Sequence, residues 1–511
     1  MRFQLVLYLI GGLAIIFGLN MIPSIAWGLY FREYEAVASL LWSMALTCTG
    51  GGTALLALRR LRGGPSPGPR EGFAVAALGW VVLAGFGALP FYLGGYIPSY
   101  LDCYFETMSG LTTTGATILT SQGGELPTDI EALPNCILFW RSYTHWLGGM
   151  GIIVLGLALL PLLGAGGMQI YRAEVPGPTS DKLVPRIRQT TAFLWGIYAL
   201  LSLAQCLLLW AHPRVTLFDA MCHTFGTMAT GGFSTHSASI AWFDSVYVEV
   251  IIVLFMVLAG ANFALHYAAL RGRLGSYLRD REFLFYLGAI VLVSGVIALL
   301  RAEQAGAGVS LRQAVFQVVS IQTTTGFVTA NFDAWPVLAR MALLILMFLG
   351  GCGGSTAGGM KSVRIVVLLK HTATEMRRML HPQAVIPVRV GPEPVKTSIV
   401  QAIHAFAVLY ILVFLLASLL MAGVLLAWPE AAAPPGPPTA LTSDDAFITA
   451  VSSVAATLNN VGPGLGRVGP GDVRGFSWVP PAGKVILTLC MLIGRLEVFT
   501  VVLLFTPWFY R

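Results

Sequence analysis

Four short stretches of this chain combine small or hydroxyl-bearing residues with a closing glycine. They are Thr112-Thr113-Thr114-Gly115, Ala229-Thr230-Gly231-Gly232, Thr323-Thr324-Thr325-Gly326 and Asn459-Asn460-Val461-Gly462. Bare backbone of this kind, dipped into a membrane, can replace the hydration shell of a cation with carbonyl oxygens. Glycine admits the backbone angles and the close approach that such a cage needs. Threonine hydroxyls can add ligands, but peptide carbonyls are the expected inner shell. One such stretch alone reads as a turn in a loop. Four of them, each bracketed by apolar spans, can close a ring.

The stretches share a register. Glu106 to Gly115, His223 to Gly232, Gln317 to Gly326 and Ser453 to Gly462 are each nine residues apart, which selects Gly232 over Gly231 as the matching position. Internal repetition of this kind is stronger evidence for architecture than any local motif. Each copy is expected to begin with a half-helix too short to span, N-capped by Asp102, Asp219, Ser310 and Asp444 or Asp445. The negative ends of four such helices, converging at mid-membrane, favour a cation there.

Two further constellations carry chemistry. Gly350-Gly351-Cys352-Gly353-Gly354-Ser355-Thr356-Ala357-Gly358-Gly359, followed by Met360 and Lys361, falls inside an apolar run. Each glycine costs a helix about 1 kcal/mol relative to alanine, so this segment is expected to break it and to form an intramembrane loop that gates the path. A phosphate-binding reading fails on register and on the lack of a preceding strand. Tight helix packing through small residues is the other alternative. The second constellation is Arg495, with Glu497, in the last apolar span. A charge at the bilayer centre costs about 2.5–3.5 kcal/mol and must face a cavity or a partner. Arg495 therefore reads as an electrostatic barrier on the path, or as a local pair with Glu497. His145, His223, His236 and His266 read as packing or interfacial residues, and no nucleophile–base pair is present, so no enzyme is expected.

Composition supplies the elements that hold these stretches. Of 511 residues, 56% are hydrophobic and 11% charged, against roughly 25% charged in soluble domains. Runs near 3–30, 36–58, 72–97, 136–164, 189–211, 246–270, 283–300, 336–360, 397–428 and 482–508 each reach or approach the ~20 residues that cross a bilayer. The first is too long and wrongly flanked for a cleaved signal peptide. The expected fold is an all-α integral membrane protein with about ten transmembrane helices. It divides into an N-terminal transmembrane hairpin (1–60) and four pore repeats: 71–170, 186–272, 281–382 with its loop at 350–359, and 395–511.

The net charge of +7 does not point to nucleic acid, because its placement follows the membrane. The loops at 59–70, 165–188, 271–281 and 361–396 hold 19 of the 31 Lys and Arg residues, among them Arg62, Arg172, Lys182, Arg186 and Arg188, while the alternate loops hold six. Such a bias puts both termini in the cytoplasm and the glycine stretches on the outer side. The stretch 98–135 has no Lys or Arg and carries Asp102, Glu106, Asp129 and Glu131, an outer mouth expected to concentrate cations. The seven cysteines form no CxxC and read as small packing residues, although Cys103 and Cys136 could meet on the outer side.

At Trp140-Arg141-Ser142, Trp146-Leu147-Gly148-Gly149-Met150-Gly151, Gly231-Gly232-Phe233-Ser234-Thr235 and Ile321-Gln322-Thr323-Thr324-Thr325-Gly326-Phe327, the chain resembles a superfamily of K⁺ transporters. That superfamily includes TrkH, TrkG, KtrB and the plant HKT proteins. The segments 353–361 and Asn459-Asn460-Val461-Gly462-Pro463-Gly464 extend the resemblance, and the N-terminal hairpin favours the bacterial TrkH/TrkG branch. The resemblance implies uptake of K⁺ across the bacterial inner membrane, with K⁺ as transported ion and no organic cofactor. It implies a gate at the 350–359 loop assisted by Arg495. It also implies a homodimer in membrane lipid that binds a cytoplasmic nucleotide-binding subunit of TrkA type. Glycine at 115, 232, 326 and 462 goes with K⁺ preference in that superfamily. A symporter coupling K⁺ to H⁺ or Na⁺ is the alternative, and a membrane enzyme that binds a nucleotide at 350–362 is the remaining one.

Overall fold

In hydrocarbon every backbone N–H and C=O must find its partner within the chain, which confines long apolar runs to helix. The computed structural model describes residues 1–61, 68–119, 129–159, 183–384, 386–390, 394–428, 443–472 and 474–510. Among them, helix forms at each of the ten apolar runs, and an isolated β bridge pairs Arg389 with Pro394. Among the described residues, six helices, taking Phe3–Tyr30 as one, are long and apolar enough to cross a membrane, or eight if two sharply bent pairs are each one span. The molecule is an all-α membrane protein. The basic residues Arg62, Arg172 and Lys182 lie outside the described residues, as do the side chains of Arg186 and Arg188.

Between the crossing helices lie four short ones: Tyr100–Leu111, Leu217–Met228, Ala307–Gln322 and Ser443–Leu458. Twelve or sixteen residues reach only about 18–24 Å at ~1.5 Å per residue, short of the ~30 Å core. The caps of the first three sit upstream of the expected positions. Ser99 and Thr216 are the N-caps, accepting from the backbone N–H of Asp102 at 3.4 Å and of Asp219 at 3.0 Å. A hydroxyl three residues ahead of an acid takes the cap, and the acid then belongs to the first turn. The third helix starts behind Gly306, while Ser310 turns its hydroxyl to the carbonyl of Arg301 at 2.9 Å. Asp444 and Asp445 lie in the first turn of the fourth.

The helices that follow the glycine turns differ from one another. Asn135–Leu159 is continuous. The run 246–270, expected as one span, breaks into Val246–Ala259 and Phe263–Leu270 with a bend of 100°, because Asn262 restarts the helix by accepting from Ala264 N–H at 2.8 Å. The run 336–360 is helical only over Val337–Leu349 and resumes as Ser362–Leu380, so the glycine loop interrupts it as expected. The run 482–508 also breaks, at Arg495, with a bend of 119°.

The N-terminal pair is tied to the first repeat at Glu33. Glu33 accepts from the backbone N–H groups of Asn135 (2.8 Å) and Cys136 (2.9 Å) and from the Asn135 side chain (2.9 Å), which places a negative charge on the N-terminus of Asn135–Leu159. All seven cysteines are free thiols, Cys103 and Cys136 buried.

Candidate ion pathway

Each half-helix ends in the same way. The N–H of the second turn residue bonds three residues back: Thr113 to Gly110, Thr230 to Thr227, Thr324 to Ile321 and Asn460 to Thr457. The N–H of the third bonds five back, at 2.7–2.9 Å: Thr114 to Ser109, Gly231 to Gly226, Thr325 to Ser320 and Val461 to Ala456. This pair of bonds is the Schellman end of a helix, and it forces the second residue into the left-handed region. Thr113, Thr230, Thr324 and Asn460 accordingly have φ of 51°, 55°, 58° and 54°. Three β-branched residues in that conformation are outliers, a strain that persists only where the surroundings fix it. The closing glycines Gly115, Gly232, Gly326 and Gly462 follow at φ 79°, 81°, 80° and 99°.

The four turns meet in a closed cycle. A Cβ on Gly115 would strike the carbonyl oxygen of Gly231, one on Gly232 that of Thr325, and one on Gly326 that of Val461. One on Gly462 would come within 2.7 Å of the Thr114 carbonyl, which returns the cycle to the first turn. All four segments are buried except at Gly115 and Gly232, which are partly exposed. Among the described residues, no donor bonds the backbone carbonyls of Thr113, Thr114, Thr230, Gly231, Thr324, Thr325, Asn460 or Val461. Buried carbonyls in that condition call for another electropositive partner.

The loop from Gly350 to Lys361 lies directly against this cycle, touching the second, third and fourth repeats. Thr356 donates its hydroxyl to the carbonyls of Met228 (3.0 Å) and Ala259 (3.1 Å), and Cys352 N–H reaches Gly260 at 2.8 Å. The break after Ala259 thus exposes carbonyls that the loop satisfies. Gly358 N–H donates to Thr324 Oγ1 at 2.7 Å, and a Cβ on Gly358 would strike the carbonyl of Asn459. Lys361 turns back to the carbonyl of Ala357. Glu282 holds both ends of the loop, accepting from Gly353 N–H at 2.6 Å and Val363 N–H at 3.0 Å. Gly350, Gly354 and Gly359 have φ of 65°, 70° and 73°, so three of the loop's glycines are used for their backbone freedom. Gly351 and Ser355 complete the loop; the Ser355 hydroxyl donates to Cys352 O at 2.6 Å.

Arg495 reaches this loop from the fourth repeat. Its guanidinium donates to Thr356 O at 2.7 Å and to Gly148 O at 3.4 Å, linking the third repeat to the first. It does not pair with Glu497. That carboxylate instead takes Arg364 at 2.7 Å, because the break after Arg495 turns the two neighbouring side chains apart.

The outer mouth differs from expectation as well. Glu106 is buried and paired with Arg141 at 2.7 Å, and Asp102 is paired with Lys484 at 2.7 Å, so neither stands as a free charge over the entrance. Glu131 accepts from Ser237 N–H at 2.7 Å. His145, which lies against Gly231, and Arg141, which lies against Phe233 and Ser234 just after the second turn, have no role legible in the sequence. An arginine inside an apolar span was the available signal, since such a charge needs a partner.

With this geometry in hand, the comparisons with known proteins are specific. The family profile of TrkH, described as a cation transport protein, matches residues 52–508. The Trk system potassium uptake protein TrkH of Halomonas elongata is 42% identical over 518 aligned positions, covering 100% of both chains. The protein of the same name from Escherichia coli is 43% identical over 448 positions, covering 86% of each. The crystal structure of the potassium transporter TrkH from Vibrio parahaemolyticus superposes with a TM-score of 0.85 at 36% identity, covering 100% of both chains. The Trk system potassium uptake protein TrkG of Escherichia coli is 32% identical over 99% of each chain. A profile match over most of the chain and full-length relatives at this identity place it: the chain belongs to the TrkH/TrkG family of cation transport proteins.

Proposed function

We propose that this chain takes up K⁺ across the bacterial inner membrane through a gated, channel-like pore, with the cycle of four glycine turns as its filter. The observation that carries the reading is the closure of that cycle, glycine to neighbouring carbonyl, around buried oxygens that lack donors. The names of the relatives, potassium uptake proteins of a Trk system, support the ion and an assembly of several components. The repeats 71–170, 186–272, 281–382 and 395–511 each contribute one turn to the pore. Residues 350–361 form the gate beneath the filter, pinned by Arg495.

A membrane potential suffices as driving force, since moving one charge is worth about 2.3 kcal/mol per 100 mV. The bias of basic residues among the loops supports both termini in the cytoplasm. A second copy of the chain and a nucleotide-binding subunit of TrkA type complete the assembly. The inner face of Ser362–Leu380, with Arg377 and exposed Met376, Met379 and Leu380, offers that subunit a docking surface continuous with the gate.

Rb⁺ uptake into proteoliposomes with a negative interior tests the reading. Uptake is expected to be competed by K⁺ far more strongly than by Na⁺, with a reversal potential indifferent to pH and Na⁺ gradients. A reversal potential that shifts with either gradient at fixed K⁺ makes the protein a symporter. Equal competition by Na⁺ overturns the filter.

A further inference from the structure

Two of the four turns carry a brace of their own. Thr112 Oγ1 and Thr114 Oγ1 share a hydrogen bond of 2.8 Å in the first, and Thr323 and Thr325 do the same at 2.8 Å in the third. In the fourth, Asn460 Nδ2 donates to Thr114 Oγ1 at 2.9 Å and to Met491 O at 3.0 Å. The second turn has Ala229 and Gly231 at the two bracing positions and cannot form such a bond.

The space that a side chain at Gly231 would fill is taken by His145, whose Cγ and Nδ1 lie 2.5 Å from where that Cβ would be. His145 Nδ1 is 2.8 Å from the carbonyl oxygen of Gly110, and its Nε2 is 3.2 Å from the backbone nitrogen of Phe233. A carbonyl only accepts and a backbone N–H only donates, so these partners require a neutral ring with its proton on Nδ1. The ring thereby joins the end of the first half-helix to the residue that follows Gly232.

Arg141 lies one helical turn earlier, on the same face of Asn135–Leu159. Its guanidinium sits 3.6 Å from the centroid of the Phe233 ring and donates to Ser234 O at 2.9 Å. Its Nε donates to Glu106, which also accepts from Ile118 N–H at 2.9 Å on the strand leaving the first turn. Gln317 performs that last task with a neutral amide in the third repeat, accepting from Thr329 N–H at 2.9 Å. Holding the exit strand therefore does not require a carboxylate. The charge at Glu106 is matched to Arg141.

We propose that Arg141 and His145 are positioning residues for the second turn. Helix Asn135–Leu159 of the first repeat supplies from outside the brace that Ala229-Thr230-Gly231-Gly232 lacks. It thereby sets the carbonyl spacing on which discrimination between K⁺ and the smaller Na⁺ depends. The inference rests on the reading of the four turns as the filter.

The test compares Rb⁺ and Na⁺ uptake by the full chain in proteoliposomes. His145→Leu keeps bulk and removes both bonds, and is expected to lower the Rb⁺/Na⁺ uptake ratio about tenfold while Rb⁺ uptake stays measurable. His145→Gln offers one donor and one acceptor again, and is expected to bring the ratio back to within about threefold of the unsubstituted protein. Arg141→Met combined with Glu106→Gln, which leaves no buried charge unpaired, is expected to lower the ratio as well. A proportional fall of both ions in His145→Leu, or an unchanged ratio, overturns the proposal. Gly115→Ser serves as the control: a ratio that falls there but not in His145→Leu refutes the brace and leaves the filter standing. A ratio unchanged in both refutes the filter itself.

Discussion

Replacing Gly326 by serine is expected to abolish most of the preference for K⁺ over Na⁺ while the protein still reaches the membrane. Gly326 has φ 80°, where an L side chain is strained, and its Cβ would strike the carbonyl of Val461 and stand 2.9 Å from Pro463 Cδ. Left-handed backbone costs an L residue about 1–2 kcal/mol by itself. The collision then forces either the serine or the neighbouring carbonyl off its place. A carbonyl displaced by a few tenths of an ångström no longer matches the dehydrated ion, so the K⁺/Na⁺ permeability ratio is expected to fall at least about tenfold. Gly115→Ser is expected to act in the same way through Gly231 O. Gly275→Ser, where nothing lies within 4 Å of the added Cβ, is expected to change nothing. Permeability ratios from bi-ionic reversal potentials are the measurement. Ratios unchanged at both Gly115 and Gly326 would remove the filter assignment.

Arg495→Ala has the second large effect, a rise in flux through the resting protein. Two consequences combine. The carbonyl of Thr356 loses the donor that ties the loop to the first repeat, and a positive charge leaves the path of a cation. Hydrogen bonds from charged groups contribute about 1.5–3 kcal/mol, so the open population is expected to grow by roughly 10- to 100-fold. Arg495→Lys separates the two contributions. It retains the charge but lacks the planar fork that reaches Thr356 and Gly148 together. A lysine variant as leaky as the alanine one assigns the effect to the tie, and one as closed as the unsubstituted protein assigns it to the charge. Resting flux unchanged in Arg495→Ala places the gate elsewhere.

The elements legible in the sequence are those dictated by local chemistry. The spacing of nine residues to each glycine is a property of one half-helix and its Schellman end, and it gives all four turns in register. The interruption at 350–359 is equally local, since a glycine-rich segment cannot hold a helix. The breaks at Gly260 and after Arg495 were not legible in the same way. The carbonyl of Gly260 is satisfied by Cys352, and Glu497 by Arg364, partners more than ninety residues distant along the chain. Nothing in a continuous apolar run reports a partner that far away. The same limit hid the mouth charges. Glu106 and Asp102 look free in a stretch without Lys or Arg, yet Arg141 and Lys484 come to them from other helices. His145 escaped because its role depends on an absence elsewhere, the missing side chain of Gly231.

One cation is expected inside the cycle of glycine turns, held by peptide oxygens from all four repeats. Anomalous diffraction from crystals grown in Rb⁺ tests it directly. A peak is expected on the common axis, bounded by the carbonyls of Thr114, Gly231, Thr325 and Val461 and weakened when Gly326 is replaced by serine. A cycle without a peak in saturating Rb⁺, or a peak held only by side chains outside it, would rule out the glycine turns as the ion site.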